Sequence, residues 1–482
     1  MTQASGDVSV GEEPDRSAAP RSQLKSGQLG TLSLLVLAMA LVGPGAGAFF
    51  NLSTLGAVTG PALVLSIVLS WVAMLTMVNT VAQFAGRVPS AGLFYTFVSQ
   101  GLGAKAGFMA GWMLMADYGA ITAFALVYPA DQISSYLETT FNVDVPWWLI
   151  FLIALGGAAW LAFRGIKPSL RTDIIFLVYE LGALLALALT VLFRLGPSHW
   201  SAAPFTPGAA GWHGVRLAWI LGITAFLGFE GAVTGAEEAA GPRRSLPKVL
   251  YLSVVLTGLF FVITAYAGVL GLGTKGMASI DANPLPWNTI ANQFWGSGLG
   301  LTVDIGAWVS MFACGLAGLN ASARLWLSMG REGVLPPLLG SVSRRRAIPS
   351  AALTLQVVLT LALGLGLGFW LGPFNSFLFL ATVLSIGALI AYILASVALP
   401  VFMLRRERQS FRILPHLVLP VAAVIIVAFP LYSTVWPMPA SPLNYAVYTA
   451  GAWLVIGLVL LAELAFRRPY LLATAGRLWG SE

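Results

Sequence analysis

Residues 31–59 read TLSLLVLAMALVGPGAGAFFNLSTLGAVT, an apolar run long enough to cross a bilayer but interrupted halfway by Gly43-Pro44-Gly45-Ala46-Gly47. Residues 219–239, WILGITAFLGFEGAVTGAEEA, form a second such run, interrupted at Gly228-Phe229-Glu230-Gly231. In hydrocarbon each unsatisfied backbone N–H or C=O costs several kcal/mol. A helix that unwinds at that depth therefore lines a cavity or a bound solute. Gly-rich close packing or a proline kink accounts for one break taken alone. The broken runs are the first and the sixth apolar segments, however, and paired interruptions at matching places in two halves point to a secondary transporter's binding site.

The chain has 482 residues, 58% hydrophobic and 9% charged, with a mean hydropathy of +0.84. Soluble globular domains carry about 25% charged residues, so most of this surface faces lipid. A spanning helix takes about 20 apolar residues. Twelve such stretches are predicted, near 31–59, 61–86, 104–129, 146–163, 172–194, 214–239, 247–272, 301–328, 349–372, 376–403, 411–434 and 443–466. They leave no room for a separate soluble domain. Cys314, the single cysteine, falls inside a span and excludes an intrachain disulfide.

The net charge of +7 raises the possibility of a nucleic-acid partner, but its distribution excludes one. With the N-terminus in the cytoplasm and twelve alternating spans, the inner loops hold Arg16, Arg21, Lys25, Arg87, Lys105, Arg164, Lys167 and Arg171. They also hold Arg243, Arg244, Lys248, Arg331, Arg344, Arg345 and Arg346. Arg405, Arg406, Arg408, Arg412, Arg467, Arg468 and Arg477 complete 22 of the 26 Lys and Arg residues. Arg194, Arg216 and Lys275 fall outside, and Arg324 lies within a helix. Such a bias sets the orientation, with both termini cytoplasmic.

Residues 1–28 lack apolar periodicity and read as a disordered cytoplasmic tail. Asp7, Glu12, Glu13 and Asp15 do not fit a signal peptide. Spans 1–5 (29–195) and 6–10 (212–404) read as two repeats, each opening on a broken helix, and an odd number of spans inverts one against the other. Spans 11 and 12 (411–466) are an added pair, followed by a cytoplasmic C-terminus over 467–482. The connection Gly271–Gly300, with Pro284, Pro286, Trp287, Asn292 and Trp295, reads as a lid with short helices. Trp147, Trp148, Trp200, Trp212 and Trp436 mark span ends as interfacial anchors. The glycosylation patterns at Asn51 and Asn320 lie within spans and are discounted.

Five ordered blocks carry a family resemblance. Gly45-Ala46-Gly47-Ala48-Phe49 resembles the G-x-G-x-F of helix 1 in the amino acid–polyamine–organocation permeases, and Gly60-Pro61-Ala62 resembles the opening of their second span. Arg87 to Trp112, with Pro89, Ala91-Gly92, Tyr95, Gly101, Gly107-Phe108 and Gly111-Trp112, is similar to their inner re-entrant loop entering helix 3. Phe226 through Glu230, then Ala236-Glu237-Glu238, Pro242-Arg243 and Pro247, resembles helix 6 and the loop after it. Asn320-Ala321, Ser322, Arg324, Arg331-Glu332-Gly333 and Leu335-Pro336 are similar to the signature ending helix 8. The resemblance implies an all-α membrane protein with the leucine-transporter-like 5+5 inverted repeat, broken helices 1 and 6, twelve transmembrane helices and alternating access.

A helix break leaves free N–H groups at the start of one half-helix and free C=O groups at the end of the other. The first set suits a carboxylate and the second an ammonium, so an amino acid zwitterion matches both. The N–H groups are assigned to Gly45, Ala46 and Gly47, and the amine is expected at carbonyls near Thr224, Ala225 and Phe226, with Gly228 in the turn. Phe226 and Phe229 read either as an aromatic gate or as packing. Relatives often carry a bulky aromatic where this chain has Thr224.

Four carboxylates fall well inside spans: Asp117, Glu180, Glu230 and Glu463. A charge at a helix centre costs roughly 2.5–3.5 kcal/mol on insertion scales, so each needs a reason. Glu230 matches the family's acidic position and either caps freed N–H groups or meets substrate. Asp117, midway along span 3, matches no family motif and is a candidate for a substrate amine. Glu180 stands near the place where several proton-driven relatives carry a lysine, and as an acid it becomes the candidate coupling residue. Glu463 reads as structural or interfacial. Arg324 is expected to pair with an acid or to snorkel. Glu237, Glu238, Arg243 and Arg244 read as an inner gate or as a solvated loop.

His199, His213 and His416 lack metal-ligand spacing, and no phosphate loop, Cys/His cluster or catalytic triad is found. No cofactor, metal or enzymatic activity is expected, and an ATP-driven pump is excluded. The sequence reads as a permease importing an amino acid or related amine, with a proton as possible co-substrate, by symport or exchange. The alternatives are a polyamine or cationic amine permease or antiporter and, from another class, a nutrient sensor that binds without turnover. The bilayer is the expected partner, and the sequence sets no oligomeric state.

Overall fold

The computed structural model describes residues 24, 26–283, 285–343 and 347–467. Most of the tail expected over 1–28, with Pro284, residues 344–346 and the terminal segment 468–482, lies outside the described residues. Among the described residues the regular structure is helical, apart from one isolated bridge between Leu29 and Ala239. The helices are α1 (Thr31–Val42), α2 (Pro44–Phe50), α3 (Gly56–Thr59), α4 (Leu63–Ala85), α5 (Leu93–Leu102) and α6 (Ala104–Phe141). There follow α7 (Trp147–Arg164), α8 (Ile166–Leu195), α9 (Gly211–Thr224), α10 (Gly231–Thr234), α11 (Pro242–Ala278) and α12 (Pro286–Trp295). Last come α13 (Gly300–Arg331), α14 (Ser350–Leu371), α15 (Pro373–Arg406), α16 (Leu419–Val435) and α17 (Asn444–Arg467).

Among the described residues ten helical runs are long and apolar enough to cross a membrane, against the twelve stretches read from sequence. The first two stretches are joined in one run of 55 residues, Thr31–Ala85. The sixth is divided between α9, 14 residues long, and α10, only 4. A straight helix of 55 residues would be roughly 80 Å long, more than twice a hydrocarbon core of about 30 Å. Gly60 (φ 57°, ψ −137°), followed by Pro61, turns the chain before α4.

Both predicted breaks are present. Gly43 takes the left-handed conformation (φ 64°, ψ 63°) and its N–H returns to Met39 O, ending α1. Pro44 then opens α2, where a missing N–H costs nothing. The second break runs from Ala225 to Glu230, between α9 and α10, with Gly228 at φ 104°. The two breaks touch: a Cβ on Gly228 would come within 2.9 Å of the Leu41 carbonyl.

Several connections gather at one end of the bundle. Leu29 N–H donates to Glu238 O, and Ala240 N–H to Leu29 O, each at 2.9 Å. Tyr95 donates to Glu332, and Arg406 to Gln100, at the same end. At the other end the connection after α11 folds into a 3₁₀ turn, Ile280–Ala282, and the helix α12. Trp287 of α12 is fully buried and donates its Nε1–H to Ala48 O at 3.1 Å, tying this expected lid to α2. The outer faces are apolar, with Ile175, Val178 and Phe193 of α8 and Val455 and Val459 of α17 exposed, as lipid-facing helices require. Trp148, Trp200, Trp212 and Trp436 are also exposed, near helix ends.

Candidate functional site

A cavity of about 170 Å³ lies where the two breaks meet. One wall is the backbone from Leu41 to Gly43 with Ala46, Gly47 and Phe50, and the facing wall is Thr224, Ala225, Leu227, Gly228 and Glu230. Ile121 and Phe124 of α6, Met311 of α13, and Phe377 and Leu384 of α15 make most of the remainder apolar. Asp117, Tyr118 and Ser385 are its other polar residues, and no Lys, Arg or His lines it.

The backbone at the two breaks behaves differently. Carbonyls of Ala225, Phe226 and Leu227 accept no hydrogen bond among the described residues, whereas Thr224 O accepts Leu227 N–H at 3.2 Å. The amides expected to face a solute are already engaged. Gly45 N–H donates to Glu180 Oε2 at 3.2 Å, Ala46 N–H to Ser310 Oγ at 3.1 Å, and Gly47 N–H to Gly43 O at 2.9 Å. The smallness of Gly45 and Gly47 also answers to protein contacts. A Cβ at residue 45 would stand 2.6 Å from Glu180 Oε2, and one at residue 47 would stand 2.6 Å from the Phe261 ring. Ala46 and Gly47 border the cavity, and Gly45 is turned toward Glu180.

Of the remaining candidates, Thr224, Ala225, Gly228, Asp117 and Glu230 border the cavity, while Phe226 and Glu180 do not. Phe226 is 1% exposed and packs edge-on against Phe261, the packing alternative of the two readings open from sequence. Phe229 lies against Tyr392. Glu230 is held by two phenols, Tyr392 at 2.6 Å and Tyr118 at 3.5 Å, which clamp the second break to α15 and α6. Asp117 is 5% exposed, borders the cavity, and has no hydrogen-bond partner among the described residues.

Sequence reading missed two buried acids. Asp173 on α8 and Asp304 on α13 are 0% and 3% exposed. Asn288 Nδ2 donates to Asp304 Oδ2 at 2.5 Å, whereas neither oxygen of Asp173 has a partner among the described residues. Their signal was present, since both fall inside predicted apolar spans. Tyr118, Tyr392 and Ser310 were also missed, because only the fold brings them to the breaks.

The acids of the charged segment after α10 pair with α13, not with Arg243 or Arg244. Glu238 pairs with Arg324, Oε2 to NH2 at 2.5 Å and to Nε at 2.9 Å, with both side chains buried. Glu237 pairs with Arg331 at 2.8 Å, half-buried. Arg243 and Arg244 take no part in either pair, because Gly241 (φ 59°) turns them onto the exposed first turn of α11. Glu463 lies at the end of α17, more than half exposed and 3.3 Å from Arg467.

The amino acid permease family model matches residues 29–461. The chain is 28% identical to the branched-chain amino acid permease BcaP of Bacillus subtilis (strain 168), over 90% of this chain and 92% of that protein. It is 25% identical to BcaP of Lactococcus lactis subsp. cremoris (strain MG1363), over 85% and 88%. It is 27% identical to the methylthioribose transporter of Bacillus subtilis (strain 168), over 86% and 90%. The chain belongs to the amino acid permease family, within the amino acid–polyamine–organocation superfamily. It is a membrane transport protein, not an enzyme.

Proposed function

We propose that the chain imports an amino acid zwitterion with an apolar side chain across the cytoplasmic membrane, by proton symport or exchange. One observation carries this reading: the cavity is bordered by Ala225 and Leu227, whose carbonyls accept no hydrogen bond among the described residues, beside apolar walls. The carbonyls take the ammonium group, and Phe50, Ile121, Phe124 and Phe377 take the side chain. The substrate carboxylate displaces Ser310 from the Ala46 amide. Similarity to branched-chain permeases supports isoleucine, leucine or valine as the solute.

The chain crosses the membrane twelve times, as two inverted five-helix repeats (29–195 and 212–404) with an added pair (411–466). The breaks at Gly43 and Gly228 support this arrangement, and the basic bias supports cytoplasmic termini. Glu180 carries the coupling proton. A substrate carboxylate and an ionised Glu180 face the same stretch of backbone, so a proton on Glu180 removes their repulsion and links the two binding events.

Asp117 supports a second reading. A carboxyl that borders the cavity without a partner suits a second amine, as in a cationic amino acid or a polyamine. Purified protein in proteoliposomes, preloaded with unlabelled solute, decides by counterflow of labelled isoleucine, lysine or putrescine. Counterflow of isoleucine supports the first reading. Counterflow of the cations alone supports the second, and none with any of the three overturns both.

A further inference from the structure

We propose that Asp173 is a second proton-holding residue, which connects Glu180 to a polar vestibule at the Ile166 end of α8. The inference rests on the reading of Glu180 as the proton carrier. Ile166, Ser169, Leu170, Asp173, Leu177, Glu180 and Leu184 form the buried stripe of α8, so the two acids occupy places where apolar residues would pack. They stand seven residues apart, two helical turns or about 10.5 Å along the axis. Each is 0% exposed. Among the described residues Glu180 uses Oε2 for Gly45 and leaves Oε1 without a partner, and both oxygens of Asp173 are without one. Buried carboxyl oxygens without partners cost stability, and inside a membrane such acids mark proton relays.

The neighbouring helices supply no neutralising base. The elements packed against α8 are α1, α2, α7, α11, α12, α13 and the 3₁₀ turn Pro197–His199, whose His199 Nδ1 meets Leu195 O at 2.7 Å, at the opposite end of α8 from Ile166. Helices α1, α2 and α12 carry no titratable side chain. Arg164 of α7 lies over the Trp160 ring, and Lys167 and Arg171 of α8 itself are exposed. On α11, Arg243, Arg244, Lys248 and Lys275 lie in the terminal turns, Tyr251 donates to Asn79, and Tyr266 donates to Ser201 O. On α13, Arg324 and Arg331 are taken by Glu238 and Glu237, and Asp304 is held by Asn288. Cys314, also on that helix, is a buried thiol and supplies no positive charge.

Two turns before Asp173, a cavity of about 110 Å³ is lined by Ile166, Lys167, Glu238, Asn320 and Arg324. In the import direction the O–H bond of Glu180 breaks as one forms on an intervening water, and a water beside Asp173 gives up a proton to form the O–H bond there. That bond breaks in turn when water in the vestibule takes the proton. Only the proton moves, along α8 and on the far side of the helix break from the substrate cavity.

The test uses the full chain in proteoliposomes enclosing a pH-sensitive dye, with labelled isoleucine and labelled lysine as parallel probes. Asp173→Asn should leave counterflow within about threefold of the parent while lowering pH-driven accumulation and solute-dependent lumen acidification at least tenfold. Asp173→Glu should restore coupling. Asp173→Leu, which completes the apolar stripe, should lose coupling while melting at or above the parent temperature, whereas a packing role would lower the melting temperature. Should Glu180→Gln and Asp173→Asn both stay coupled, the Glu180 reading falls and takes this one with it. Loss in Glu180→Gln with normal coupling in Asp173→Asn overturns Asp173 alone. Parallel loss of counterflow and coupling without rescue by Asp173→Glu, or no counterflow of either probe in the parent, also overturns it.

Discussion

The amide of Gly45 donates to the carboxylate of Glu180 across 3.2 Å, although the two residues are 135 apart in sequence. A Cβ on residue 45 would lie 2.6 Å from the same oxygen and 3.1 Å from Ser310 Cβ. Gly45→Ala should therefore destabilise the protein by about 1–3 kcal/mol, the usual cost of overpacking. Glu180→Asp, one methylene shorter, should recover at least half of that loss in the double variant. Gly182→Ala, with open space around it, is the neutral control. Thermal unfolding of the purified variants measures all three, and a double variant no better than Gly45→Ala excludes the clash.

The breaks were legible because Gly and Pro clusters inside apolar runs defy helix propensity locally. Asp117 and Glu230 were legible because charge is scarce in such runs. Partners were not legible. Which acid meets Gly45, Arg324 or Arg331 depends on helices packed from distant parts of the chain, and hydrophobic pattern says nothing of it. Asp173 falls at the edge of the predicted span 172–194, next to the loop residues Lys167 and Arg171, whereas its side chain lies on the buried stripe. For Phe226 the sequence left gate and packing open, because periodicity has no meaning in an unwound segment. Gly47→Val would have been the natural substrate-site variant, but the Phe261 contact makes it a packing change as well.

The ion pairs of Glu238 and Glu237 should differ sharply in worth. Arg324 and Glu238 are 4% and 6% exposed, so Arg324→Ala leaves a buried carboxylate alone and should cost about 3–5 kcal/mol. Arg331 and Glu237 are about a fifth exposed, and Arg331→Ala should cost about 1 kcal/mol or less. Melting temperatures of the two variants check the order. Equal losses would show that the Arg324 pair is not the main fastening of Leu29 and Glu238 to α13.

Asp117 is the test of charge selection. It has no hydrogen-bond partner among the described residues, and no base lines the cavity. A charge-assisted hydrogen bond is worth about 1.5–3 kcal/mol, so Asp117→Asn should weaken lysine or putrescine roughly 10- to 100-fold. Isoleucine, with no second amine, should change less than about threefold. Competition binding to the detergent-solubilised protein measures both ratios. Equal changes, or none, remove Asp117 as the selector.

Coupling is decided by Glu180. A membrane potential acts with about 2.3 kcal/mol per charge per 100 mV, which supports roughly 50-fold accumulation for each proton moved with the solute. If Glu180 carries that proton, Glu180→Gln holds the same shape, keeps an oxygen for the Gly45 amide, and can neither gain nor lose charge. Accumulation driven by an imposed pH gradient or potential should collapse to equilibration, while exchange of internal for external solute survives because the cavity wall is untouched. A purely structural Glu180, hydrogen-bonded to Gly45 to close α2, predicts the opposite pattern: a modestly less stable protein that still accumulates. Uptake by vesicles under an inward proton gradient, with and without an uncoupler, separates the two. Uncoupler-sensitive accumulation that persists in folded Glu180→Gln would clear Glu180 and move the search to Asp117 and Glu230.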